Sequence, residues 1–282
     1  MDKALVIGLG MGQQYASWLK SLNYKVYTVD VDASKAADYT DVAVALKDHP
    51  VVDIVYIGTP NWTHEPIAKQ VAPHSRLVVI EKPGVQYSSN WQQLTTAYPS
   101  TRIMMVRNNQ FRTEMSGFQK LAKLSKQVNI CWSRKDGVPG APWFIDKSKA
   151  FGGVSRDLMP HLLSIYTALT NYKNGNKLYA YSEDKNNTGI DDFCEIEFSN
   201  NAKWILTASW KNNNDNEFYI EFDLGIEVVR FELGDYMTAF GGCPAGPYMS
   251  MLKIAMENLN NTEYWQEQLE QDLWIHKQIE NL

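Results

Sequence analysis

Apolar residues come in short unbroken runs in the first part of this chain and in alternation in the second. Ala4-Leu5-Val6-Ile7, Val26-Tyr27-Thr28-Val29, Ile54-Val55-Tyr56-Ile57, Leu77-Val78-Val79-Ile80 and Ile103–Val106 are brief and rich in β-branched or aromatic side chains. Such runs predict strands buried on both faces. Helical spacing separates them: Gln13 to Leu22 sets Tyr15, Trp18, Leu19 and Leu22 on one face, and further helices are expected at Glu65–Val71 and near Trp91–Tyr98. Strands alternating with helices predict a parallel, doubly wound sheet.

The polar run Arg107-Asn108-Asn109-Gln110 reads as a crossover, so the expected domains are 1–107 and 108–282. A helix near Met115–Lys126 and a strand Val128–Ser133 follow, then a loop rich in Gly, Pro and aromatics that includes Trp143, then an apolar helix Leu162–Leu169. Past residue 175, Tyr179–Ser182, Phe193–Phe198, Lys203–Trp210, Phe218–Phe222 and Glu227–Glu232 read as successive strands joined by Asn-rich turns, which predicts a largely antiparallel sheet. Helices near Pro247–Leu259 and Glu263–Ile279 close this second domain. The fold class is therefore α/β, a doubly wound parallel sheet followed by an α+β domain with an open, largely antiparallel sheet. Helices cover one face of such a sheet. Trp204, Leu206, Trp210, Phe218, Ile220 and Phe222 on its strands are expected to form an exposed apolar face that joins copies of the chain, as a homodimer or homotetramer.

Composition narrows the classes. Hydrophobic residues make up 44% of 282 and aromatics 12%, enough for a sizeable core. A net charge of -5 with no basic stripe argues against a nucleic-acid partner. Cys131, Cys194 and Cys243 are scattered and odd in number, which argues against a disulfide framework and against a metal site. No apolar run approaches the ~20 residues that span a bilayer, so no membrane partner is expected. The amino terminus enters an apolar strand without a basic leader, and the expected location is cytoplasmic.

Candidate chemistry gathers where strands end. Gly8-Leu9-Gly10-Met11-Gly12 between the first strand and its helix resembles a dinucleotide fingerprint, although the third glycine stands one residue early, at Gly12 instead of Gln13. Glycines there admit a pyrophosphate to the helix amino terminus. Asp30, about 20 residues on, suits ribose hydroxyls, or else caps the next helix. Thr59-Pro60-Asn61 offers hydrogen bonds at the same sheet edge, and His64 there is either chemistry or packing. Arg76 to Gly84 forms a buried strand that runs into Glu81-Lys82-Pro83, a charged pair that is costly unless used or paired. Lys82 thus stands where ligands bind open parallel sheets, or at a solvated strand end, and its bond to Pro83 is a candidate for the cis form. In the second domain Asp157 and His161, four apart after Gly152-Gly153, would share one face of a helix that starts near Ser155 or Asp157. The bland reading is a helix-dipole acid and an unrelated histidine.

Taken together, Gly8-Leu9-Gly10-Met11-Gly12, Thr59-Pro60-Asn61 with His64, Glu81-Lys82-Pro83, and Gly152-Gly153 followed by Asp157 and His161 resemble the glucose–fructose oxidoreductase / inositol dehydrogenase / MocA (Gfo/Idh/MocA) family. The resemblance covers nearly the whole chain. It implies a Rossmann domain followed by an α+β domain whose open sheet forms a subunit interface, and an oxidoreductase acting on a sugar, polyol or related cyclic alcohol. It implies NAD(P), held by Gly8, Gly10, Met11, Gly12, Asp30, Thr59, Pro60, Asn61, His64, Glu81 and Lys82, with Lys82, Asp157 and His161 catalytic. In that mechanism His161 takes the hydroxyl proton, Lys82 bonds the developing oxyanion, and Asp157 orients His161 or the substrate. Asp30 points to NAD rather than NADP, because its carboxylate repels a 2′-phosphate. Departures are Met159 where the family often has glycine and the lack of a third glycine after Gly153. The alternative is a catalytically silent dinucleotide- or sugar-binding regulator on the same fold.

Overall fold

The computed structural model describes residues 1–210, 216–234 and 246–282. The chain forms two compact units, Met1–Val106 with Leu252–Glu280, and Arg107–Met251 with Asn281–Leu282.

In the first unit β1 (Lys3–Ile7), β2 (Lys25–Val29), β3 (Val52–Ile57), β4 (Ser75–Ile80) and β5 (Arg102–Met105) form one sheet in the order β2-β1-β3-β4-β5. Every pairing is parallel. Neighbouring residues on a strand point to opposite faces, yet Leu5 and Val6, Ile54 and Val55, and Val78 and Val79 are all fully buried. Both faces are therefore covered, which is why these strands read as continuous apolar runs. The ladder continues past the strand ends: the amides of Gly8, Gly58, Glu81 and Val106 donate to Val29, Ile7, Ile57 and Ile80 at 2.8, 2.8, 2.9 and 2.8 Å. Four carboxyl-end loops are thereby anchored in a row. The order reverses at β1, and open sheets of this kind bind ligands in the crevice at such a point.

The last helix, Thr262–Ile279, differs from its expected grouping with residues 108–282, because it packs in the first unit. Its Asp272 Oδ2 accepts the Met105 amide at 3.1 Å, its His276 Nε2 accepts the Val85 amide at 3.3 Å, and Glu280 just beyond it accepts the Ser88 amide at 2.7 Å. An amphipathic pattern shows that a helix has a buried face, not which sheet lies under it.

The second unit holds β6 (Gln127–Ser133), β7 (Asn176–Glu183), β8 (Phe193–Asn200), β9 (Ala202–Ser209), β10 (Glu217–Asp223) and β11 (Val228–Glu232), ordered β11-β10-β6-β9-β8-β7. The pairing of β6 with β9 is parallel and the others are antiparallel. The six apolar residues expected on an exposed face are instead the covered one: Leu206, Trp210, Ile220 and Phe222 are fully buried and Trp204 and Phe218 nearly so. Phe118 of the helix Met115–Leu124 meets Phe222 at 5.7 Å, and Tyr166 of the helix Met159–Leu169 stacks on Phe198 at 4.6 Å and abuts Trp204 at 5.3 Å. Alternation sorts side chains into two sets without saying which set the helices cover.

The opposite face is polar. Asn129 donates to Glu221 at 2.9 Å, Thr207 to Glu195 at 3.1 Å, and Lys203 pairs with Glu197 at 3.0 Å. Burial pushes the Cys131 thiol on this face up to about 11 and the neighbouring Tyr219 phenol up to about 12. Cys131 and Cys194 are free thiols, and Cys243 lies outside the described residues.

Candidate active site

The glycine turn shows how a dinucleotide would fit. Gly8 has φ +86°, and a Cβ there would lie 2.8 Å from the backbone of Gly58, so close approach of two anchored loops demands glycine. A Cβ on Gly12 would lie 2.9 Å from Val6 Cγ1. The displaced third glycine therefore still lets the helix Gly12–Ser21 sit directly on β1, the purpose of that position in the fingerprint. Gly10 is exposed and a Cβ there would meet nothing within 4 Å, which leaves the space a pyrophosphate needs beside a helix start whose Met11 cap supplies no side-chain hydrogen bond. Asp30 Oδ2 accepts the Leu9 amide at 2.6 Å and Oδ1 the Asp32 amide at 2.9 Å. Its half-exposed carboxylate is thus tied to the glycine turn at the end of β2, where an adenosine ribose would lie. Asp32, not Asp30, caps the following turn, through Ser34.

Thr59 and Pro60 are half-exposed on the loop after β3, and Asn61 is buried. The Thr63 hydroxyl donates to Thr59 Oγ1 at 2.6 Å. His64 does not face this surface. It is fully buried, with Nδ1 2.8 Å from the Gly84 carbonyl and Nε2 2.7 Å from the Thr59 carbonyl. Burial pushes its pKa down to about 4, against the two backbone bonds that raise it and with the Lys82 charge adding to the fall. The reading of His64 as a cofactor contact is corrected: the imidazole is buried between the Thr59 and Gly84 loops, and in its neutral form it donates to one of the two carbonyls.

Glu81 and Lys82 end β4 half-exposed. Glu81 accepts the Tyr56 hydroxyl at 3.0 Å, and Tyr56 stacks on Tyr15 at 3.6 Å. The carboxylate is thereby anchored to the layer under the glycine turn. The Lys82–Pro83 bond is cis. Behind it His276 donates through Nδ1 to the Asp272 carbonyl at 2.7 Å and stacks on Trp91 at 4.9 Å, so the last helix sets the loop that carries Lys82. Sequence reasoning missed this support, because His276 lies 191 residues from the Val85 amide it accepts.

Asp157 and His161 belong to the second unit and Lys82 to the first. The single helix expected to carry Asp157 and His161 is instead two, Val154–Asp157 and Met159–Leu169, broken at Leu158 with Pro160 in the first turn of the second. Asp191 holds the entry: its carboxylate accepts the Gly153 and Ser155 amides at 2.7 Å each, and an added Cβ on Gly153 would run into the Asp191 carbonyl. Asp157 accepts the Trp210 indole N–H at 3.0 Å and has the Arg134 guanidinium at 3.9 Å. Phe144, stacked on Trp143 at 3.9 Å, meets the edge of Trp210, so Trp143 supports that wall one ring removed. The partner at His161 Nδ1 is Asn109 Nδ2 at 3.2 Å, and Trp132 packs 5.0 Å from the imidazole. Asn109, Arg112, Arg134, Trp132 and Trp210 were not picked out for chemistry. The polar run 107–110 was the one available signal, and it read only as a crossover.

The comparisons agree with this architecture. Residues 3–107 match the GFO_IDH_MocA family, described as an oxidoreductase family with an NAD-binding Rossmann fold. A protein of Amycolatopsis mediterranei with the provisional name UDP-kanosamine synthase oxidoreductase subunit is 28% identical over 178 residues, 57% of this chain. That match spans 49% of the relative's own length. Among solved structures, GenD2 from gentamicin A biosynthesis, in complex with NAD, superposes with a TM-score of 0.82 at 20% identity over 99% of this chain and 92% of its own. A myo-inositol dehydrogenase from Corynebacterium glutamicum gives 0.76 at 12% identity over 100% and 95%. Residues 3–107 of this chain thus match the model of the Gfo/Idh/MocA oxidoreductase family, and the chain along its whole length has the fold of the myo-inositol dehydrogenase.

Proposed function

We propose that this chain is an NAD-dependent dehydrogenase acting on a CH–OH group of a sugar, polyol or related cyclic alcohol. The observation that carries the reading is the Asp30 carboxylate bonded to the Leu9 amide, with open space at Gly10 and close packing at Gly8 and Gly12 around it. This set holds an adenosine diphosphate moiety: helix amides for pyrophosphate, carboxylate for ribose. Bound NAD supplies a hydride acceptor. Lys82 and His161 would hold the reacting oxygen and handle its proton, and Asp157, fixed by Trp210 and Arg134, would hold a neighbouring hydroxyl. The substrate class draws on the inositol dehydrogenase and aminosugar-pathway relatives.

A panel of sugars, cyclitols and aminosugars, followed at the reduced-nicotinamide absorbance band, tests the activity. Tight NAD binding without turnover across the panel would move the reading to a regulator. Calorimetric titration tests the cofactor: NAD is expected to bind at least tenfold more tightly than NADP, because Asp30 repels a 2′-phosphate, and the reverse order would overturn the preference. We further propose a homodimer or homotetramer through the open face of the second unit's sheet. Support comes not from the apolar residues inside the unit but from the partly exposed Tyr179 and Tyr181 on edge strand β7, beside the Lys203–Glu197 pair. A monomer in light scattering at micromolar concentration would remove that part.

A further inference from the structure

We propose that Asn109 and Arg112 set the tautomer of His161, so that its ring meets the substrate as an Nε2–H donor and not as a proton-accepting lone pair. The tautomer follows from this unit alone, while its consequence for a substrate rests on the proposed function.

The argument is one of donors and acceptors. Arg112 has only donors. Its Nη1 donates to the Leu233 carbonyl at 2.5 Å, its Nη2 to the Gly234 carbonyl at 3.1 Å, and its Nε to Asn109 Oδ1 at 2.9 Å. The guanidinium also lies 5.1 Å from the Phe218 ring, which fixes its plane. Because Nε can only donate, the atom of Asn109 that faces it must be the oxygen. An amide flip would set NH2 against N–H. Asn109 Nδ2 therefore faces His161 Nδ1 at 3.2 Å, and an amide nitrogen only donates. His161 Nδ1 must accept. A neutral imidazole that accepts at Nδ1 carries its proton at Nε2. Asn109, Arg112 and His161 are 1, 3 and 6% exposed, so water does not readily take over any of these bonds.

This reverses the role first read for the histidine. Taking a proton at Nδ1 would turn N–H against the Asn109 amide donors, which Arg112 holds in place. In the oxidation direction bound NAD would supply the acceptor for the hydride. His161 would keep its own proton and hydrogen-bond the oxygen while the carbonyl forms, and the O–H proton would leave by way of the Lys82 side chain to solvent. Asn109 and Arg112 are positioning residues that act through the ring.

Nitrogen-15 NMR of the full chain labelled in histidine, without ligands, reads the tautomer directly, with the His161 signals assigned by their loss in His161→Gln. The expected result near neutral pH is an unprotonated Nδ1 and a protonated Nε2. In Asn109→Asp the carboxylate keeps the Arg112 contact and offers Nδ1 an acceptor. The proton should move to Nδ1 and turnover should fall roughly 10- to 100-fold, the scale on which partners that orient a functional imidazole act. A protonated Nδ1 in the unaltered protein, or a tautomer unmoved in folded Asn109→Asp, overturns the proposal. If Asn109→Asp does not fold, the unaltered protein's spectrum decides. The failures are separable: the expected spectrum without turnover of any substrate defeats the dehydrogenase reading alone, and turnover with Nδ1 protonated defeats this one alone.

Discussion

At the scale of single residues the site divides into groups that touch ligand and groups that hold those groups still. His64 is of the second kind, and its burial makes a pH prediction. Its folded pKa of about 4 lies below the ordinary 6.5, so between these values the unfolded chain binds a proton that the folded chain refuses. The contribution is complete above pH 6.5 and is lost as pH falls towards 4, by on the order of 3 kcal/mol at full extent. Urea unfolding at pH 7 and pH 4.5 is expected to show this extra acid loss in the unaltered protein and not in His64→Gln. Equal losses in both would remove the assignment. Lys82 is proposed to be of the first kind. Lys82→Ala should lower turnover roughly 100-fold or more, the scale of general acid–base groups, with NAD affinity changed far less, because in the proposed site Gly8, Gly10, Gly12 and Asp30 would hold the adenosine end. A folded Lys82→Ala with full turnover would take Lys82 out of the chemistry.

At the scale of elements, close backbone approach decides what each turn tolerates. Gly8→Ala puts a side chain at φ +86° and within 2.8 Å of Gly58, where neither neighbour is a flexible tip. The expected cost is about 1–3 kcal/mol of stability, accompanied by weaker NAD binding, since the same loop carries the Leu9 amide that Asp30 holds. Gly10→Ala, with open space around it, should leave stability within ~0.5 kcal/mol while still weakening NAD binding. Thermal unfolding and calorimetry on the two variants check the contrast, and equal stability losses would mean that the packing argument is wrong. In the second unit Trp210→Phe keeps the apolar wall and removes the indole N–H from Asp157. A buried carboxylate that loses a donor costs about 1–3 kcal/mol.

At the scale of the molecule, the first unit is built from both ends of the chain. Residues 1–107 without the helix Thr262–Ile279 would expose the apolar side of β5 and leave the Met105, Val85 and Ser88 amides without the partners they have from Asp272, His276 and Glu280. That fragment is expected to be insoluble or to lack cooperative unfolding, and a stop codon after residue 261 should destabilise NAD binding in the remaining chain. Circular dichroism and NAD titration of the truncated protein check this. Cooperative folding and unchanged NAD affinity would show that the helix is dispensable.

Much was legible from local pattern. Runs such as Leu77-Val78-Val79-Ile80 state that both faces are covered, and so a parallel sheet between helices. Gly8, Gly12 and Asp30 mark the turn because backbone conformation and charge at a helix start are local matters. The alternation of Trp204, Leu206 and Ala208 shows a two-sided strand, and Asp157 with His161 after the Gly152-Gly153 entry marks that segment as worth watching. What the pattern left open has one physical cause: hydrogen bonds and packing across long separations carry no period in the sequence. The covered side of the second sheet was decided by Phe118 and Tyr166. The home of the last helix was decided by Asp272 and His276. His64 became a buried clamp only once the Gly84 carbonyl came to it. The partner of His161 was decided by Asn109, 52 residues away, whose orientation rests in turn on Arg112 and two carbonyls 121 and 122 residues further along. Spacing names the residues that can do chemistry, but the proton's position on an imidazole depends on which donor the folded chain sets beside it.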